Sequence, residues 1–228
     1  MKRLGIIGGL GPETGCNFCL SINNQFREKT NCQPDIVLEN LPVSAEAEAR
    51  IINGEPGTEH LELLSKAVRR MNQAEVDLIV IPCNTVHVFM EELRKASKKP
   101  ILSIIEETVK ACCKAEVKKI GLLASGKTIK EKLYARAFQS HSIEMITPEK
   151  QEQLKINKVI IRILNNQAIE QDKQFLISLV NKMKLNKAES IVLGCTDLPL
   201  LIKQEDVEIP LISTLACLEN AVLKELLL

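Results

Sequence analysis

Two stretches of the chain, Ile79-Val80-Ile81-Pro82-Cys83 and Ile191-Val192-Leu193-Gly194-Cys195, share the pattern Ile-Val-x-x-Cys. A hydroxyl residue follows each cysteine within two positions, Thr85 after the first and Thr196 after the second. Short apolar runs bounded by turn residues read as strands buried on both faces. In open α/β sheets, ligands bind just beyond the carboxyl ends of such strands. The repeated motif therefore predicts two thiols that face one ligand from opposite sides.

Two further matches put that motif inside a larger repeat. Lys2-Arg3-Leu4-Gly5-Ile6-Ile7 corresponds to Lys118-Lys119-Ile120-Gly121-Leu122-Leu123, and Pro100-Ile101-Leu102-Ser103 to Pro210-Leu211-Ile212-Ser213. The spacings are 116 residues (5 and 121), 112 (83 and 195) and 110 (100 and 210). Three matches in order at nearly one spacing imply two similar halves. Strands alternate with helical segments throughout, which predicts mostly parallel sheets. The expected fold is α/β, with two pseudo-symmetric domains, each a mostly parallel sheet flanked by helices, and the active site in the cleft between them. The expected division is 1–98 plus 212–228 for an N-terminal domain carrying Cys83, and 99–211 for a C-terminal domain carrying Cys195.

Paired thiols suit removal and return of a proton at carbon. A thiolate takes the proton beside a carboxylate from one face, and a thiol delivers one to the other, giving the mirror-image molecule without a cofactor or metal. Free cysteine has a pKa of roughly 8.5, and helix N-termini and donor hydrogen bonds lower it to about 7, near the working pH of an acid–base pair. The opposing reading is two small apolar core residues, the usual place of free cysteine.

Composition narrows the class. Net charge is +1 with 3% aromatics, which argues against a nucleic-acid partner. No apolar run reaches about 18 residues, so no membrane span is expected. Eight cysteines with no apolar leader at the start predict reduced thiols and a cytoplasmic setting.

Other motifs carry competing readings. Gly8-Gly9-Leu10-Gly11-Pro12-Glu13-Thr14-Gly15 is a glycine-rich turn entering a helix, a ready anion site. With Glu39 ending the next strand it imitates a dinucleotide fingerprint, although the glycine spacing departs from it. Gly121 to Thr128 satisfies the phosphate-loop pattern, but its intervening residues read as strand, and no strand-end aspartate is available for magnesium. The better reading is a strand-to-helix turn whose Ser125 and Thr128 hydroxyls point at the ligand. Cys16 and Cys19, spaced Cys-x-x-Cys, lack the second pair a zinc site needs and read as helix packing. Arg50, four residues after Glu46, reads as an exposed helix pair or as a carboxylate clamp. His87, just beyond Cys83, reads either as tuning that thiol or as capping a packing contact. His60 and His141 stand without a partner motif.

The glycine-rich start, Pro82-Cys83-Asn84-Thr85-Val86-His87, Leu122-Leu123-Ala124-Ser125 running on to Thr128, and Gly194-Cys195-Thr196-Asp197 together resemble the aspartate/glutamate racemase family over essentially the whole chain. The resemblance implies a cofactor-independent amino-acid racemase, with aspartate or glutamate as substrate and a homodimer as the assembly. It implies Cys83 and Cys195 as the acid/base pair, and substrate contacts from Leu10, Arg50, Asn84, Thr85, Thr128 and Thr196. The family often has glutamate where Asp197 stands. Aspartate-specific members carry a lysine about 30 residues before the second cysteine; that position here is Asn165, with Arg162 one turn away. The segment before Arg50 lacks the family's Pro-x-Arg spacing. These departures bear on side-chain recognition. Isomerisation or racemisation of another small acid or a neutral amino acid is the nearest alternative, and a nucleotide-binding protein the distant one.

Overall fold

The computed structural model describes residues 1–228, the side chain of Pro12 excepted. It contains two four-stranded parallel sheets. The first comprises β1 (Arg3–Gly8), β2 (Asp35–Asn40), β3 (Leu78–Val80) and β4 (Ile101–Leu102), in the order β2-β1-β3-β4. The second comprises β5 (Lys119–Ala124), β6 (Glu144–Ile146), β7 (Ser190–Gly194) and β8 (Leu211–Ser213), in the order β6-β5-β7-β8. The two orders are the same, so the repeat in sequence is a repeat in topology.

Backbone details repeat with it. The Ile79 N–H donates to Pro100 O at 3.0 Å, and the Ile191 N–H to Pro210 O at 2.9 Å. Gly5 and Gly121 leave room for a methionine in each half. A Cβ at Gly5 would lie 2.9 Å from Met71 Sδ, and one at Gly121 would lie 2.6 Å from Met183 Sδ.

Alternating strand residues build the core in layers, because successive side chains of a strand point to opposite faces. Leu4, Ile6, Leu78 and Val80 face the same central core as Ile120, Leu122 and Val192. That core is filled from α1 (Pro12–Thr30), α5 (Ile104–Lys114), α7 (Leu133–Gln139) and α10 (Thr214–Leu226). The opposite face of the first sheet, with Ile7 and Ile79, packs under α2 (Ala45–Ile52) and α3 (Thr58–Gln73). The opposite face of the second, with Leu123, Ile191 and Leu193, packs under α8 (Lys150–Leu164) and α9 (Glu170–Leu185).

Hydrogen bonding divides the chain differently from the expected boundary at 98/99. Strand β4 pairs with β3 in the first sheet, and β8 pairs with β7 in the second. Helix α10 crosses back to pack on α1 and α5. Strands of two or three residues carry too little pattern to reveal which sheet they join. Beyond Cys83 the chain forms a 3-10 turn, Thr85–Phe89, followed by α4 (Met90–Ala96). The strand-to-helix turn after β5 leads into α6 (Gly126–Lys130).

Candidate active site

Both cysteines sit one to three residues beyond parallel strands, Cys83 after β3 and Cys195 directly after β7. They line one narrow cavity between the halves, about 20 Å3 in volume. Leu10 of the glycine-rich turn, Asn84, Thr85 and Thr196 line it too. A second space of about 150 Å3 adjoins it, sharing Glu48, Ile52 and Leu164, and reaches Gly9, Gly11 and Asn165.

The turn that carries Leu10 depends on its glycines. Gly9 and Gly11 have φ of 83° and 90°, a region where glycine carries no steric penalty. A Cβ on Gly9 would collide with the Leu41 backbone, and one on Gly11 would lie 2.6 Å from Asp197 Oδ1. The turn is thereby laid against the loop that carries Cys195.

That loop is fixed by Asp197. Its Oδ1 accepts from Thr14 Oγ1 at 2.6 Å, and its Oδ2 lies 3.7 Å from Cys195 Sγ, which donates to it. On the other side, the N–H groups of Val86 and Thr85 point toward Cys83 and favour its thiolate. Burial outweighs them. It pushes Cys83 up to about 12, helped by the Glu48 carboxylate. Burial, with the Asp197 carboxylate beside it, pushes Cys195 well above the usual thiol range. The expectation that donors would bring these thiols down to about 7 is therefore corrected: the cavity disfavours the thiolate, because two carboxylates and a dry wall act against a few N–H donors.

His87 is resolved by its partners. The Ile104 N–H donates to Nε2 at 3.1 Å, so Nδ1 carries the proton and donates to Cys83 O at 2.7 Å. The ring is buried, and burial lowers its pKa to about 4. It is a neutral strut between the Cys83 loop and the start of α5.

Several predicted contacts lie elsewhere. Arg50 is exposed and pairs with Glu55 at 3.5 Å; it lines neither space. Ser125 and Thr128 are buried and committed to each other: Ser125 Oγ lies 2.8 Å from Thr85 Oγ1 and 3.0 Å from Thr128 Oγ1. They join Thr85 to the opposite half rather than face the cavity. Asn165 caps α8 and lines the second space. Arg162 is paired with Asp172, Nε to Oδ2 at 2.7 Å. The motifs that imitate nucleotide sites are also occupied. Glu39 accepts from Arg70 Nε at 2.9 Å, and Lys127 pairs with Glu131 at 3.0 Å while Gly121 to Ala124 lie within β5. Cys16, expected to pack in α1, is exposed.

Two wall residues have no counterpart in the sequence motifs. Glu48 of α2 faces both spaces, and His60 of α3 faces the cysteine cavity. Glu48 lies three and four residues before Ile51 and Ile52, both buried, so helical spacing places it on the inner face. His60 precedes Leu64, Ala67, Val68 and Met71 on the apolar stripe of α3. Among the described residues, no cluster of His, Cys, Asp and Glu would hold a metal ion, and no helix is long and apolar enough to cross a membrane.

Two matched parallel sheets, each followed by a cysteine that lines the shared cleft, define a two-domain α/β protein. The family model for Asp/Glu/Hydantoin racemase matches residues 7–222, and the chain belongs to that family. The Bacillus subtilis protein named broad specificity amino-acid racemase RacX is 26% identical over 223 residues, covering 96% of this chain and 95% of that one. A crystal structure of a candidate Asp/Glu racemase from Yersinia pestis superposes with a TM-score of 0.86 at 26% identity, over 100% of both chains. The aspartate racemase of Picrophilus torridus shares the fold, with a TM-score of 0.81 at 23% identity, over 99% of this chain and 94% of that one.

Proposed function

We propose that the protein interconverts the L and D forms of an amino acid without a cofactor, with Cys83 and Cys195 acting on opposite faces of the α-carbon. The observation that carries this reading is that the two thiols line one cavity from equivalent strand ends. The racemase family and the likeness to RacX support it. A homodimer in the cytoplasm is the setting the family resemblance suggests.

The raised thiols fit the chemistry once a substrate cation is present. An opposite charge about 4 Å away, at an effective dielectric of about 20, contributes about 4 kcal/mol. That is enough to bring a thiol at about 12 most of the way back to its ordinary range, at ~1.4 kcal/mol per pKa unit. The substrate's own α-ammonium supplies such a charge. One cysteine then takes the α-proton, and the other, still a thiol, returns one. On the Cys195 side, Asp197 orients the S–H. Thr85, Asn84 and Thr196 offer donors to the substrate carboxylate.

The test follows each enantiomer separately. The protein is dialysed against chelator, given no pyridoxal phosphate, and assayed in D2O for loss of optical rotation and for α-deuterium. Racemisation with deuterium in the product supports the proposal. A strict requirement for metal or pyridoxal phosphate, or product that retains the original α-hydrogen, sinks it.

A further inference from the structure

The cysteine cavity holds a carboxylate that the proton transfer does not use. Glu48 Oε1 is buried and has no hydrogen-bond partner, and the same is true of His60 Nε2, 4.0 Å away. His60 is only 1% exposed, and burial lowers its pKa, so it does not neutralise the carboxylate. An unpaired carboxylate inside a protein is costly, and burial accordingly raises Glu48 to about 7; a cation in the cavity would complete its ionised form.

Among the described residues, none supplies such a cation. Neither space is lined by a lysine or an arginine. The basic residues nearby are committed: Arg50 to Glu55, Arg162 to Asp172, Lys127 to Glu131, and Lys130 to Gly54 O. Asp197 is a second carboxylate on the same wall. A basic amino acid carries two cations and one carboxylate, which matches these walls. An acidic amino acid carries two carboxylates and meets like charge.

Position assigns the two carboxylates to different cations. Asp197 lies beside Cys195, and in this assignment it meets the α-ammonium of a substrate held between the two thiols. Glu48 stands at the junction with the second space, whose wall includes Val43, Ala49, Ile161 and Leu164. A side chain leaving the α-carbon passes Glu48 with its methylene groups against that apolar wall. We propose that Glu48 is the specificity-determining residue of this site and takes the cationic end of a basic amino-acid side chain. The assignment rests on the racemase reading above and names its substrate class.

The experiment compares lysine and ornithine with methionine, which is similar in length but neutral, and with glutamate. In wild type, kcat/KM is expected to favour the basic pair over methionine and glutamate. Glu48→Gln, nearly isosteric, is expected to lower the lysine-to-methionine ratio at least tenfold. Glu48→Lys is expected to shift the preference toward glutamate. A proportional loss on all substrates in Glu48→Gln would mean that Glu48 serves the α-ammonium, and would overturn the proposal. So would a wild type that prefers glutamate. Calorimetric binding of lysine and methionine to the same variants separates this from the racemase reading. Lysine binding that Glu48→Gln leaves unchanged overturns the role of Glu48 whatever happens to turnover. Glu48-dependent lysine binding without racemisation upholds it and rejects the racemase reading.

Discussion

Tyr134 donates its hydroxyl to Asn84 Oδ1 at 2.5 Å, joining α7 of one half to the loop that carries Cys83 in the other. Asn84 Nδ2 in turn donates to Thr214 Oγ1 at 2.9 Å, and that hydroxyl donates to Leu193 O at 3.0 Å. Leu193 precedes Cys195 by two residues. The chain of bonds thus ties one cysteine loop to the strand that presents the other, and all three side chains are buried.

Removing one link should loosen that spacing. Tyr134→Phe leaves Asn84 Oδ1 buried without its donor, at a cost of about 1–3 kcal/mol. Urea unfolding should show a lower midpoint with an unchanged slope. Racemisation should lose more in kcat than in KM, since the spacing of the thiols matters most at the moment of transfer. A variant as stable as wild type would mean that water or a shifted side chain replaces the bond.

The cysteine pair gives the most direct functional prediction. Cys83→Ser and Cys195→Ser should each remove most racemisation, because serine is far too weak an acid and base near neutral pH. Each should still exchange the α-proton of one enantiomer with solvent, a different enantiomer for each variant. Cys16→Ser and Cys32→Ser, both at exposed positions, should leave turnover within about twofold, as surface substitutions usually do. Full activity in either strand-end variant would refute the assignment.

Glu48 should also leave a signature in stability. Burial, with Asp197 nearby, raises it from an ordinary 4.5 to about 7. A carboxyl raised in the folded state holds its proton there after the unfolded chain has lost it. Its contribution is therefore fully present below about 4.5 and is lost as pH rises toward 7. Glu48→Gln does not titrate, so its stability relative to wild type should grow across that window, by at most ~1.4 kcal/mol per pH unit. Urea midpoints between pH 4.5 and 8 measure the difference. A difference that stays flat would place Glu48 in water rather than in the wall.

Glu48 also shows where the sequence stops being legible. The strands that end in Cys83 and Cys195 are readable because burial on both faces produces continuous apolar runs. The duplicated order of strands follows from the same matches. Glu48 is harder, because Ser-Ala-Glu-Ala-Glu-Ala-Arg looks like a solvated helix whose pair is Glu46 and Arg50. Only the spacing to Ile51 and Ile52 marks Glu48 as inward, and that signal competes with the expectation that glutamate faces water. Strand β6 and helix α7 were not legible. The first has three residues, and the second is recognised by what its Tyr134 and Phe138 pack against, a tertiary property. The thiol pKa values are not legible in the sequence for a related reason: donor groups are visible in a motif, but the dryness of a cavity is not.

Arg50 supplies a test of that contrast. Its partner is Glu55, and both side chains are about half exposed, at 50% and 54%. Exposed pairs contribute about 0–1 kcal/mol. Arg50→Ala should therefore change stability by less than about 0.5 kcal/mol and kcat/KM by less than about threefold. A loss of tenfold or more would show that Arg50 swings into the cavity during turnover and clamps a carboxylate there.

Asn165→Lys tests the second space from its other wall. Asn165 caps α8, its Nδ2 donating to Ile161 O at 3.0 Å, and it lines the same space as Glu48. A lysine there places a cation where the wild type has none among its lining residues. The long stem of lysine can lie along Ile161 and Leu164 while its ammonium reaches inward. Two outcomes then follow from one charge. The new ammonium pairs with Glu48, removing the carboxylate's attraction for a basic side chain, and it offers whatever positive field remains to an acidic one. The ratio of kcat/KM for glutamate to that for lysine should rise by at least tenfold, equivalent to ~1.4 kcal/mol. Partial solvent access at the mouth sets the upper limit by screening the charge. The double variant Glu48→Gln with Asn165→Lys should raise the ratio further, because the added cation is then left unpaired for the substrate. A ratio unmoved in both would mean that the side chain of the substrate does not enter this space.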